Sequence, residues 1–174
     1  MKTLILGGMK SGKSRYAESL GVATNKKCTL IATATALDEE MAKRIQRHKD
    51  DRTPGVSTIE EPINLADALC TFSETDCVLI DCLTLWITNL LVIDDDLASL
   101  KVQKHKFLES FKNAQCHVIL ISNETNMGIV PMDKLSRQYC DQIGILHQEL
   151  AALCHEVTLM VAGLPLKIKS TKDV

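Results

Sequence analysis

The sequence predicts an α/β fold in which a largely parallel sheet is flanked by helices, and three observations predict it. Short apolar runs rich in β-branched residues alternate with longer stretches of helical periodicity. The first run ends on Gly7-Gly8, as a buried parallel strand does when it turns into a helix. No internal repeat, low-complexity tract or Pro/Gly-rich linker divides the 174 residues, so a single domain spanning 1–174 is expected. In such an alternation, ligands sit at the carboxyl ends of the strands.

The elements follow in order. "TLIL" (3–6) reads as a strand and "SGKSRYAESLG" (11–21) as a helix. "TLIATAT" (29–35) is a second strand by its β-branched content. "DEEMAKRIQRHKD" (38–50) opens with acids and closes with bases, the order that a helix dipole favours. "VSTI" (56–59) predicts a short strand, and "EPINLADALCTF" a helix with Pro62 near its first turn. "CVLID" (77–81) is a strand, and "CLTLWITNLLV" a helix buried on most sides. Residues 94–113 form an amphipathic helix through Leu97, Leu100, Phe107, Leu108 and Phe111. "HVILIS" (117–122) is another strand. A long helix from Pro131 then places Met132, Leu135, Tyr139, Leu146, Leu150 and Leu153 on one stripe, and "VTLMVAG" (157–163) closes the core.

Composition excludes several classes of function. A formal net charge of −2 supplies no basic field for nucleic acid. Seven cysteines form no CxxC pair, which argues against a zinc site or a thioredoxin-type motif. Several lie in apolar runs such as "CVLIDC", as buried thiols of a cytoplasmic protein do. The run "MKTLIL" before the glycines is too short for the apolar region of a signal peptide. Asp81 and Asn89 interrupt the longest apolar region, so no membrane span is expected.

The strongest signal is "GGMKSGKS", which fits G-x-x-x-x-G-K-[ST] with Gly7, Gly12, Lys13 and Ser14 in the fixed positions. The two glycines let backbone N–H groups curl around an oxyanion without interference from a Cβ. Lys13 neutralises the β- and γ-phosphates, and the Ser14 hydroxyl is a ligand for Mg²⁺. The helix that follows adds partial positive charge at its N-terminus. The run Gly7, Gly8, Met9, Lys10, Ser11, Gly12, Lys13, Ser14 and Arg15 is therefore expected to bind a nucleoside triphosphate. Asp81, at the end of the strand "CVLID", is the best candidate acid for holding Mg²⁺ through water; the alternative is an N-cap for the helix "CLTLW", and the two roles can coexist.

His48 lies in the charged stretch "RIQRHKDDR". At 100° per residue, Leu37, Met41, Ile45, His48 and Arg52 share one sector, while Lys43, Arg47 and Asp50 point elsewhere. The apolar stripe thus turns polar in its last turn. Two readings stay open: a histidine favourably charged near a helix C-terminus, or an imidazole able to attack a phosphoryl group.

Together these motifs resemble a known family. "GGMKSGKS", "IATATALDEEMAKRIQRHKDDR", "TIEEP", "VLIDCLTLWITNLL", "SNETNMGIVP" and "VAGLPLKIK" are similar, in order and over essentially the whole chain, to the adenosylcobinamide kinase / adenosylcobinamide-phosphate guanylyltransferases of cobalamin synthesis. The resemblance implies a RecA-like P-loop NTPase fold, a homo-oligomer (a trimer), ATP or GTP as substrate, and a corrinoid as acceptor. It implies phosphorylation of the aminopropanol hydroxyl of adenosylcobinamide, then transfer of GMP from GTP to that phosphate through a covalent adduct on His48. It also implies that Thr33, Ala34 and Thr35, and Lys49, Asp50, Asp51 and Arg52, line the nucleotide site, with Glu61 and Asp81 contacting guanine, ribose or metal. The "SNETNMGIVP" loop would flank the site near a subunit boundary. Four positions depart from the family's common pattern. Lys10 replaces arginine, Val56 an aromatic residue, Asn126 a glycine whose backbone could need φ > 0, and His147 an asparagine. The rival readings are a P-loop kinase of another small alcohol, and a nucleotide-dependent switch protein.

Overall fold

A computed structural model of the chain describes residues 1–35, 39, 40, 42, 43, 46, 53–94 and 96–170. Seven strands form one sheet: β1 (Lys2–Gly7), β2 (Lys27–Ala32), β3 (Val56–Glu60), β4 (Asp76–Asp81), β5 (His117–Ile121), β6 (Glu156–Val161) and β7 (Leu164–Lys169). Their order is β3-β2-β4-β5-β1-β6-β7, parallel throughout except for the antiparallel β6–β7 pair. The helices outside the sheet are α1 (Lys13–Ala23), α2 (Leu65–Leu69), α3 (Leu83–Leu91), α4 (Ala98–Asn113) and α5 (Lys134–Leu153). Glu39, Glu40, Ala42, Lys43 and Gln46 are also helical and exposed, in keeping with an outward-facing side of the helix expected over 38–50.

The period of two along each strand divides the core between the two faces. Leu4, Leu6, Val78, Ile80, Val118 and Leu120 pack on one face against α2, α3, α4 and α5. Ile5, Leu30, Leu79, Ile119 and Ile121 pack on the other, against Ala17, Tyr16 and Leu20 of α1. Fully buried Trp86 lies 5.0 Å from Phe107 edge-on, and its indole N–H donates to the Ile63 carbonyl at 2.8 Å. That bond satisfies the polar end of the largest core side chain.

Several boundaries differ from the sequence expectation for identifiable reasons. The second strand stops at Ala32 rather than running to residue 35: the Thr33 N–H still reaches the Asp81 carbonyl, but beyond it the Thr33 hydroxyl takes both backbone groups of Cys82. The long helix starts at Lys134 rather than Pro131: the Asp133 carboxylate accepts from the Ser136 N–H at 2.8 Å and sets its first turn. Met132 is consequently outside the helix and 96% exposed, not on the buried stripe, which runs through Ile143, Leu146, His147 and Leu150. The helix expected within residues 61–72 is the short α2, since Pro62 to Asn64 form its approach. Asp94 and Asp96 precede α4, and their carboxylates accept from the Ser99 and Ala98 N–H groups. β7 is not among the elements that the sequence pattern predicts. It follows a two-residue turn at Ala162 (φ 50°) and Gly163 (φ 84°), the positive-φ pair that a tight hairpin requires.

Candidate active site

The cradle forms where β1 ends. Gly7 has φ 150°, and a Cβ there would stand 2.5 Å from the Met160 carbonyl oxygen and 2.7 Å from Ser11 Oγ. Gly12, at φ 94°, stands immediately before α1. Between them Lys10 also adopts a left-handed conformation, φ 56°. Gly8, Met9, Lys10, Gly12 and Arg15 are exposed, whereas Ser11 and Lys13 are buried. The β6–β7 turn supports the loop from beneath, since the Gly163 N–H donates to the Ser11 carbonyl at 3.1 Å.

Lys13 curls back over the loop, its ammonium donating to the Gly8 carbonyl at 2.7 Å. Burial pulls its pKa below the ordinary lysine value, and the Asp81 carboxylate opposes that pull. Ser14 Oγ donates to Asp81 Oδ2 at 2.7 Å, joining residues 67 positions apart. The sheet order explains how they meet. β4 lies two strands from β1, and both strands end at the same edge of the sheet. Asp81 is therefore not the helix cap: Cys82 holds the N-cap position of α3 and makes no side-chain cap bond.

The Thr33, Ala34 and Thr35 segment lies at that same edge, beyond β2. Thr33 is fully buried, and its hydroxyl both donates to the Cys82 carbonyl and accepts from the Cys82 N–H. It braces the turn after Asp81 from below, so its side chain does not line an open site as expected. Ala34 and Thr35 are half-buried, and Thr35 Oγ1 donates to Asn89 Oδ1 at 3.3 Å. Glu61 is also engaged differently: its Oε1 accepts from the Ile63 and Asn64 N–H groups at 2.9 and 2.7 Å. It follows the edge strand β3, two strand spacings or roughly 10 Å from β4, so it stands apart from the Ser14–Asp81 pair. His48, Lys49, Asp50, Asp51 and Arg52 lie outside the described residues. The segment carrying them is fastened at both ends, at Thr35 as above and at Thr53, whose N–H and hydroxyl donate to Glu18 Oε2 on α1.

One acid that sequence reasoning missed belongs to the same edge. Glu124 follows β5, and its N–H donates to the Gly7 carbonyl at 3.0 Å, directly beside the cradle. Its Oε1 accepts from the Asn126 N–H at 2.8 Å. Asn126 is not at positive φ, so the conformational reason for a glycine there does not apply. Its side chain instead donates to the Cys140 carbonyl at 2.8 Å, passing over Gly144, where a Cβ would stand 2.7 Å from Asn126 Nδ2. Buried His147 bonds Ser122 Oγ through Nε2 at 2.8 Å, and its Nδ1 lies 3.8 Å from Glu124 Oε2. Burial holds the His147 pKa below the usual value, and the Glu124 carboxylate counteracts it. The signal available in the sequence was an acid two residues past an apolar strand, a pattern shared by many loops.

A phosphate cradle on β1, a hydroxyl–carboxylate pair joining it to β4, and this strand order define a RecA-like P-loop ATPase fold. Solved structures of that kind share it. One solved ATPase domain superposes with a TM-score of 0.52 at 12% identity, covering 91% of this chain and 68% of its own. The RadB recombinase does so with a TM-score of 0.50 at 15% identity, covering 91% and 73%. Within that class, the family model described as cobinamide kinase / cobinamide phosphate guanyltransferase matches residues 3–168, and the chain belongs to that family. It is 46% identical over 97% of its length to the bifunctional adenosylcobalamin biosynthesis protein CobP of Pseudomonas aeruginosa, 98% of which is covered. It is 37% identical, again over 97%, to the corresponding CobU protein of Salmonella typhimurium, all of which is covered. The chain is thus a bifunctional cobinamide kinase and guanylyltransferase of adenosylcobalamin biosynthesis, with ATP or GTP as its nucleotide substrate.

Proposed function

We propose that the Gly7–Ser14 cradle holds the nucleotide for phosphorylation of the aminopropanol hydroxyl of adenosylcobinamide, and that His48 carries GMP during the guanylyl transfer. The observation that carries this reading is the 2.7 Å bond between Ser14 and Asp81 beside the buried Lys13 ammonium. A hydroxyl and a carboxylate are hard oxygen donors and fit Mg²⁺, which would be held by Ser14 and Asp81 and would neutralise charge on the phosphates. Among the described residues no cluster of three or more His, Cys, Asp or Glu offers a competing metal site. Lys13, drawn from the Gly8 carbonyl onto the phosphates, and the loop N–H groups stabilise the charge that develops there.

In the guanylyl transfer, a His48 ring nitrogen attacks the α-phosphorus of GTP. A P–N bond forms, the bond to the bridging oxygen breaks, and pyrophosphate leaves. A phosphate oxygen of adenosylcobinamide phosphate then attacks the same phosphorus, the P–N bond breaks, and adenosylcobinamide-GDP is released. Two in-line displacements replace a single encounter of two bulky anions. The Thr53–Glu18 anchor supports this role for His48, because the five residues from Thr53 back to His48 reach at most about 17 Å. Lys49, Asp50, Asp51 and Arg52 belong to the same short tether and are assigned to the nucleotide site with it.

α-Labelled GTP should leave an acid-labile, alkali-stable adduct on the denatured protein, and γ-labelled GTP should leave none. No α-label on active protein, or its survival in His48→Ala, would remove the nucleophile assignment. The reading also includes a cytoplasmic setting, supported by seven cysteines all present as thiols. It further includes a homo-oligomer, supported by the exposed apolar side chains of residues 127–135. No described helix is long and apolar enough to cross a membrane.

A further inference from the structure

The kinase half of the reaction needs a group to accept the proton of the attacking hydroxyl, and no residue assigned so far does this. Asp81 is engaged by Ser14 on the metal side of the cradle. Glu60 ends the edge strand β3 and Glu61 follows it, four strand spacings or roughly 19 Å from β1. β5 is the strand that lies between β4 and β1, one spacing from each, and Glu124 is the acid that follows it. Its backbone is fixed to Gly7, the first residue of the cradle. One carboxylate oxygen is held by the Asn126 N–H, and the other faces the His147 ring at 3.8 Å, leaving the side chain 15% exposed.

A carboxylate at this end of the sheet adds no positive charge for a phosphate ligand. The Glu124 backbone is tied to Gly7, while its side chain is held at the same end of the sheet by the Asn126 N–H and against the His147 ring. We propose that Glu124 is the general base of the kinase half-reaction, taking the proton of the acceptor alcohol; this rests on the reading of the chain as a kinase of a primary or secondary hydroxyl. The Glu124 carboxylate accepts the O–H proton as the alcohol oxygen bonds to the γ-phosphorus. The bond from that phosphorus to the β–γ bridging oxygen breaks, and the nucleoside diphosphate leaves with the electron pair. The proton then passes from the carboxylic acid to solvent. Asn126 and His147 are positioning residues: the first fixes Oε1, and the second closes the α5 side of the carboxylate.

The test separates the two half-reactions in one protein. Glu124→Gln keeps the shape and the bond from the Asn126 N–H but cannot take a proton. It should lower kcat for phosphorylation of cobinamide about 100-fold or more, the range for loss of a general base, with the KM for nucleotide changed less than about threefold. The α-label adduct from GTP should form at the wild-type level, because that step involves no acceptor hydroxyl. Glu124→Asp should retain part of the kinase rate. A Glu124→Gln kinase rate within about threefold of wild type overturns the proposal. So does a parallel loss of adduct, nucleotide binding and kinase rate, which is what a merely structural role of the side chain between Asn126 and His147 would produce. Wild-type protein that forms no adduct defeats the His48 reading instead, and leaves the kinase comparison intact.

Discussion

Gly7 shows how narrowly a single position can be constrained. Its backbone sits at φ 150° with the Met160 carbonyl and the Ser11 hydroxyl where a Cβ would go. A Cβ at Gly8 would meet nothing within 4 Å. Gly7→Ala should therefore lower stability by about 1 kcal/mol or more and weaken nucleotide binding at least about tenfold, since β6 or the loop must shift. Gly8→Ala should leave the thermal midpoint near wild type. Equal midpoints for the two variants in thermal denaturation would show that the loop yields to the extra methyl. Lys13 belongs to the same scale: its ammonium is desolvated, and the Asp81 carboxylate keeps the charge favourable. A lysine poised in this way exchanges a carbonyl for a phosphate at little reorganisation cost.

At the level of elements, the catalytic edge is held by polar ties between loops that the sheet brings together. Asn89 on α3 is the centre of one. Its amide donates to the Thr33 carbonyl at 2.8 Å and to the Pro62 carbonyl at 3.1 Å, and its oxygen accepts from Thr35. It thereby joins the chain leaving β2 to the chain leaving β3, on either side of the segment that contains His48. Asn89→Leu is close in volume but strands those partners in a buried place. It should destabilise the protein by roughly 2–4 kcal/mol, read as a lower urea midpoint with an unchanged slope, and slow adduct formation from GTP. An unchanged midpoint would mean that water replaces the amide. The α4 entrance is built on the same principle, with Asp94 and Asp96 satisfying the first N–H groups of that helix.

The whole molecule buries apolar residues on both faces of the sheet and leaves a patch after β5 uncovered. Met127, Ile129, Val130, Met132 and Leu135 are exposed in close succession, Ile129 at 94% and Met132 at 96%. Such clustering exceeds the scattered apolar residues normal on a monomer. The patch adjoins the loop that carries Glu124, so a neighbouring subunit there would also close over the catalytic edge. Light scattering on the eluting protein should give a homo-oligomer, a trimer by the family resemblance, and Ile129→Asp with Met132→Asp should shift it to monomer. A wild-type monomer at micromolar concentration would count against this use of the patch.

The sequence by itself determined the local chemistry. The spacing of Gly7, Gly12, Lys13 and Ser14 specified an anion cradle, and alternating apolar runs specified strands and helices, because period and turn residues are properties of neighbouring positions. Helical phase placed Lys43 on an outward face, where the structure has it exposed, while His48 lies outside the described residues. Tertiary structure decided everything that required a partner distant in the chain. It turned Asp81 to Ser14 rather than to its own helix, and closed Thr33 onto Cys82. It also added β7 as an antiparallel edge and set Glu124 against Gly7, 117 positions earlier in the chain. Strand order selects such pairs, and the pattern along any one strand carries no record of which strand will lie beside it.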